Sequence, residues 1–201
     1  MAKEKKEAKK KEKIIRRSPT EVKKKKKRWA SILASKSFGS KFLGESLIGD
    51  SQELKNKRVV VSLSSLGRGK NSSAKVIFEV KEVVEGSGVC EAIGYFILSG
   101  FARRIVRKGK TKITRTFKFK TKDDINVILK LALVTKTKIS GSVGRAIRKE
   151  LDLFIKDEIN KNRFEDMLNS VIDYKLQKNI REDLKKIYPI VSLEILAFKR
   201  V

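Results

Sequence analysis

Between Lys112 and Lys120 the side chains alternate without a break. Ile113, Arg115, Phe117 and Phe119 fall on one side, and Thr114, Thr116, Lys118 and Lys120 on the other. A period of two does not fit a helix, whose faces repeat every 3.6 residues, so this stretch reads as a strand with one buried face. Related patterns recur along the chain. Arg58 to Leu66 is rich in β-branched residues, and Ala74 to Val84 sets Val76, Phe78 and Val80 on one face. Val89 to Leu98 reads as a third strand, and Ile125 to Val134 turns Val127, Leu129, Leu131 and Leu133 inward. Turn sequences separate them: Gly67 to Ser72, Glu85 to Gly88, and Lys122-Asp123-Asp124.

Helical periods interrupt this β region and follow it. From Gly100 to Lys108, Phe101, Ile105 and Val106 share one side, with Arg103, Arg104, Arg107 and Lys108 on the other; Gly109 stops the helix. Ser142 is expected to cap a long helix to about Asn160 with the stripe Val143, Ile147, Leu151, Phe154 and Ile159. Further helices are expected over Phe164 to Ile172 and Leu176 to Ile187. Pro189 ends them, and Val191, Leu193 and Ile195 open a returning strand. Residues 29–50, with spaced hydrophobes and glycines at 39, 44 and 49, are expected to be irregular.

The element order β-β-β-α-β-β-α-α-α-β predicts an α+β fold. The expected architecture is a strongly curved antiparallel sheet or barrel of about six strands, with helices packed outside. Residues 29–201 read as one domain, with the main β region over 58–136, helices over 142–187 and the returning strand over 190–200. Residues 1–28 hold too few apolar groups to offset the entropy of ordering and read as a disordered basic tail.

Charge then limits what such a fold could do. The chain carries 50 Lys plus Arg, 23 Asp plus Glu and no histidine, a formal +27 in 201 residues. Residues 1–28 hold 15 basic and 4 acidic residues, a net +11; the other 35 basic and 19 acidic residues leave the remainder at +16. Both parts are cationic, which points to a polyanionic partner and a basic face on the folded body. Lacking histidine, the chain also lacks the side chain most used for proton transfer and for binding metals through nitrogen. Cys90 stands alone, so it makes neither an intramolecular disulfide nor a multi-cysteine metal site, and reads as a small buried hydrophobe. No run approaches a membrane span, no secretory signal is visible, and cytosolic residence is expected.

Catalytic readings find little support. Gly67-Arg68-Gly69-Lys70 lacks the spacing of a phosphate-binding loop and reads as a hairpin tip. Asp123 and Asp124 could be taken for a two-carboxylate metal site of a nuclease, but adjacent turn residues serve the backbone better. No cofactor, metal or small-molecule substrate is expected, and the chain is not expected to be an enzyme. Distributed phosphate contact is the reading that survives. Leu98 to Lys122 contains ten Lys or Arg and no carboxylate, whereas soluble surfaces interleave both signs.

The RNA-contacting candidates are Lys23, Lys24, Lys25, Lys26, Lys27 and Arg28 in the tail, with Trp29 beside them for base stacking. In the body they are Arg68, Lys70, Arg103, Arg104, Arg107, Lys108, Lys110, Lys112, Lys136, Lys138, Arg145, Arg148 and Lys149. A nuclear localisation signal would also explain Lys23 to Arg28, but the charge of the body favours a phosphate-binding arm. An anionic-membrane binder would need an amphipathic helix with a broad apolar face, and none is present.

Several strings also resemble a known family. Lys27-Arg28-Trp29-Ala30-Ser31-Ile32-Leu33-Ala34 with Phe38 and Leu43-Gly44, and then Leu54 to Leu66, are similar to motifs of the small-subunit ribosomal proteins called S-three-A-e, or eS-one. Val106-Arg107-Lys108, Lys120 to Asp123, Ala146 to Lys149 and Ile187-Tyr188-Pro189 agree in order and spacing. The resemblance covers roughly residues 26–201. It implies a structural protein of archaeal type, bound to small-subunit ribosomal RNA on the platform near the messenger RNA exit, beside other ribosomal proteins. The alternatives are a free RNA- or DNA-coating protein and, from another class, the metal-dependent nuclease.

Overall fold

The strands that alternate most regularly form the middle and one flank of a large mixed sheet. The structure is a computed structural model and describes residues 26–68 and 71–201. Its strands are β1 (Arg28–Ala34), β2 (Phe42–Ile48), β3 (Arg58–Ser62), β4 (Ala74–Val84), β5 (Ser87–Ile97), β6 (Lys112–Lys120), β7 (Asn126–Thr135) and β8 (Ile190–Arg200). The helices are α1 (Ser99–Arg104), α2 (Gly141–Lys161), α3 (Phe164–Ile172) and α4 (Lys175–Leu184). The main path runs β2-β1-β5-β8-β7-β6, with β4 also on β5 and β3 on β4.

Four expectations change. The sheet has eight strands among the described residues and is open rather than a barrel, because its terminal strands β2, β6 and β3 do not pair with one another. It is mixed rather than antiparallel: β1 runs parallel to β5, with Ile32 beside Gly88 and Ala34 beside Cys90. Residues 29–50, expected to be irregular, supply β1 and β2, an antiparallel pair. Their glycines mark geometry, not disorder. Gly39 (φ 72°) closes the 3-10 turn Lys36–Phe38, and Gly44 (φ 152°) lies opposite Ile32 where the register shifts.

Boundaries move by smaller amounts. β3 stops at Ser62 because Leu63 and Leu66 turn back into the core. The long helix begins at Gly141 with Ser140, not Ser142, at its N-cap, and the last helix ends at Leu184. Residues 1–25, including Lys23, Lys24 and Lys25, lie outside the described residues, as do Gly69 and Lys70.

One core fills the space between sheet and helices. β7 and β8 turn Leu129, Leu131, Leu133, Leu193, Ile195 and Phe198 inward, all almost fully buried. α2 answers with Ile147, Leu151 and Ile155 at four-residue spacing, and α4 with Leu176, Ile180 and Leu184. Phe164 at the start of α3 stacks on Phe198 with ring centroids 5.4 Å apart. Burying such a side chain contributes about 1.5–3 kcal/mol. Where β5 crosses β8, a Cβ on Gly94 would sit 2.9 Å from the Lys199 Cβ and 3.2 Å from the Phe198 carbonyl oxygen. Only glycine allows that approach.

Candidate nucleic-acid interface

Thr135, fully buried at the end of β7, ties the basic loops together. Its backbone N–H donates to the Thr111 carbonyl (3.0 Å), and its hydroxyl accepts from the Thr111 N–H (3.1 Å) and donates to the Thr137 carbonyl (2.7 Å). The Ile139 N–H donates to the Thr111 hydroxyl (3.3 Å), and the Lys136 N–H to the Pro189 carbonyl (3.2 Å). These bonds gather Lys110, Lys112, Lys136 and Lys138 at the end of the sheet where β6 and β8 begin and β7 stops. α2 starts there too, with Arg145, Arg148 and Lys149 exposed on its first turns.

The arrangement on α2 works against the helix itself. Its first turn has no carboxylate, and of the three cations only Arg145 stands next to that turn, where a cation opposes the backbone dipole at a cost of a few tenths of a kcal/mol. An anion there would be held by both the free N–H groups and the side chains. α1 and the loop after it bring Arg103, Arg104, Arg107 and Lys108 to the same end of the sheet. There Gly109 (φ 78°) makes the turn that returns the chain to β6. All four side chains are exposed.

Ion pairing divides the cations. Arg58, Arg68, Lys81, Arg115, Arg163, Lys175, Lys178 and Lys186 lie within 4.0 Å of a carboxylate. None of Arg103, Arg104, Arg107, Lys108, Lys110, Lys112, Lys136, Lys138, Arg145, Arg148 or Lys149 does so with a described residue. Within the long basic stretch, among the described residues, only Arg115 has a carboxylate within reach, that of Asp152 on α2.

Some predicted residues sit elsewhere. Lys26, Lys27, Arg28 and Trp29 lie near the β4–β5 turn, where the Arg28 guanidinium donates to the Ser51 hydroxyl. The strand β5 separates them from the first cluster, and its 11 residues span roughly 35 Å at about 3.3 Å per residue. Trp29 is 68% exposed and opposite Leu47, open enough to stack on a base. Arg68 is no free hairpin tip. It lies over the Phe38 ring (5.3 Å), reaches the Ser37 carbonyl (3.5 Å) and faces Asp173.

The sequence reading missed a lysine-bearing sheet face. Register puts Lys112, Lys118 and Lys120 of β6 on the same face as Lys130 of β7 and Lys199 of β8. All five are exposed, and the single carboxylate that β6, β7 and β8 place on that face, Glu194, is buried. The alternation of Lys118 and Lys120 with phenylalanines was the available signal.

The acidic turn is structural. Asp123 Oδ2 accepts from the Phe164 N–H (3.1 Å), capping α3, and Oδ1 faces Arg163 (4.0 Å). Asp124 takes a positive φ of 55° in the turn. Among the described residues no group of three or more His, Cys, Asp or Glu is placed to hold a metal ion. Cys90 is buried, and burial pushes its thiol up to about 11.

Residues 16–201 match the family described as the Ribosomal S3Ae family. Curated relatives carry the name small ribosomal subunit protein eS1. The chain is 29% identical to the one from Picrophilus torridus over 181 residues, covering 90% of this chain and 87% of the relative. It is 26% identical to that of Halobacterium salinarum over 169 residues (84% and 82%). The relative from Methanobrevibacter smithii is 26% identical over 176 residues (87% and 91%).

Proposed function

The chain belongs to the ribosomal S3Ae family, and from that membership we propose how it serves as a structural protein of the small ribosomal subunit. The family is not enzymatic, and its members work in the cytoplasm within the ribosome. Small-subunit ribosomal RNA and neighbouring ribosomal proteins are the partners that this role implies. The finer reading is ours. The cations of residues 103–112, 136–138 and 145–149, which pair with no carboxylate among the described residues, and the lysine face of β6–β8 contact the phosphates of folded ribosomal RNA. Residues 29–201 act as one body on the platform near the messenger RNA exit.

The single observation carrying this reading is the convergence of carboxylate-free cations at one end of the sheet, since a surface built only for solubility would mix signs. Rigid placement matters because a preordered cluster neutralises several phosphates without the entropy of gathering flexible side chains. Sedimentation of a lysate through sucrose at moderate and high salt tests it. The chain is expected to travel with small subunits and to resist stripping at moderate salt. Recovery wholly in the soluble supernatant, or equal affinity for duplex DNA, would favour a free coating protein instead.

A further inference from the structure

A cavity of about 860 Å³ opens between α1, the start of β4 and the start of β8, a volume within the range of small-ligand pockets. Tyr95, Phe101 and Tyr174 offer aromatic lining, and Arg104, Arg107 and Lys110 supply three cations. Glu194 is the one carboxylate in its wall and is 9% exposed. Its Oε1 accepts from the Tyr174 hydroxyl (2.9 Å), while Oε2 has no hydrogen-bond partner. Tyr174 is held at φ 65°, a left-handed conformation that non-glycine residues seldom adopt, and its hydroxyl also lies 3.0 Å from the Leu193 carbonyl oxygen. Glu194 therefore joins a strained, specific contact yet leaves a buried acceptor unfilled, an unfavourable state that a donor would relieve.

We propose that this cavity takes one unpaired RNA nucleobase, with its donor-bearing edge on Glu194 and its flanking phosphates on Arg104, Arg107 and Lys110. The proposal rests on the RNA-binding reading above and names the substrate of one part of that surface. Three cations in the wall disfavour an arginine or lysine from a protein neighbour, but they suit a ligand that is anionic outside and aromatic inside. A carboxylate needs donors, and guanine presents two adjacent ones, N1–H and N2–H. Adenine and cytosine present one amino group beside a ring acceptor, and uracil one N–H between two carbonyls. Guanine is the expected base.

Fluorescence anisotropy of the full chain with the heptaribonucleotides UUUGUUU, UUUAUUU, UUUCUUU and UUUUUUU tests this. UUUGUUU is expected to bind about tenfold more tightly than UUUUUUU, within the discrimination that a paired donor–acceptor contact provides. Glu194→Gln, close in shape, should bring that ratio to within about twofold, while Phe101→Leu should weaken UUUGUUU several-fold. Equal binding of the four oligomers with a steep salt dependence would overturn the pocket and leave the RNA-binding reading standing. No binding of any oligomer or of ribosomal RNA would overturn both. Glu194-dependent capture of an arginyl peptide in preference to RNA would assign the cavity to a protein neighbour and also overturn the proposal.

Discussion

Replacing Lys136, Lys138, Arg145, Arg148 and Lys149 together by glutamine removes five positive charges from one end of the sheet without touching the core, since all five are exposed. Each phosphate contact contributes about −0.7 to the slope of log affinity on log salt for single strands and about −0.9 for duplex. If all five contact phosphate, the slope becomes shallower by roughly 3.5 to 4.5. Between 50 and 200 mM salt the unmodified chain should then lose about a hundred- to five-hundred-fold more affinity than the variant. A matched control removes five other cations, Arg58, Lys81, Lys175, Lys178 and Lys186, each already beside a carboxylate. Net charge changes equally in both variants, and exposed ion pairs contribute only about 0–1 kcal/mol each to stability, so both should fold. Filter binding to small-subunit ribosomal RNA across a salt series reads the slope. A control that flattens it as much as the test variant would show that total charge governs binding, and the argument from placement would be refuted.

Three further outcomes follow from particular contacts. Asp123→Ala removes the acceptor that caps α3 and should lower stability by about 1 kcal/mol in urea unfolding, with Asp123→Asn milder because its amide oxygen still accepts; an unchanged midpoint for the alanine variant would contradict the capping role. Gly94→Ala forces a methyl to within 2.9 Å of Lys199 and should destabilise by about 1–3 kcal/mol, read as a fall in thermal midpoint by circular dichroism. Burial pushes the Glu194 carboxyl above its ordinary range, against the opposing hydrogen bond from Tyr174. From the unfolded value up to that raised pKa the native state holds more of this proton, so stability should fall as pH rises through the window, by at most about 1.4 kcal/mol per pH unit. Glu194→Gln should remove that decline and gain on the unmodified chain as pH rises through that window. Parallel stability curves would rule out the linkage.

How much of this was legible depends on where each signal lies. β6 and β7 announce themselves because each buries large apolar residues on alternate positions, as Phe117 and Leu129 do directly opposite each other. β1 has the same alternation in Ala30, Ile32 and Ala34, but alanine is too small to stand out, and the glycines of its partner suggest a loop. Its parallel register on β5 is a long-range choice with no local code. The basic clusters were readable as charge. Their separation into two groups across the length of β5 was not, because that depends on register. Arg68 shows the limit most clearly, since the cation–π contact with Phe38 joins residues 30 positions apart. Glu194 reads as one outward residue in an alternating strand, and only the corner at Tyr174 makes it a buried acceptor.

The distribution of ion pairs argues that fold and function draw on different cations. Arg115 joins β6 to α2 through Asp152, and Arg163 stands beside the carboxylate that caps α3, so these side chains help assemble the body. Lys136, Lys138, Arg145 and Arg148 join no such contact with a described residue, and all four fall between positions 136 and 148, around the start of a helix whose first turn holds no carboxylate to offset them. Charges spaced closer than the Debye length of about 8 Å at physiological salt repel without effective screening. The free chain therefore carries an electrostatic penalty at this end of the sheet, and a bound polyphosphate would relieve it. That makes affinity for RNA and stability of the bound fold two readings of the same term: the thermal midpoint should rise on RNA binding in the unmodified chain, and rise less in the five-glutamine variant.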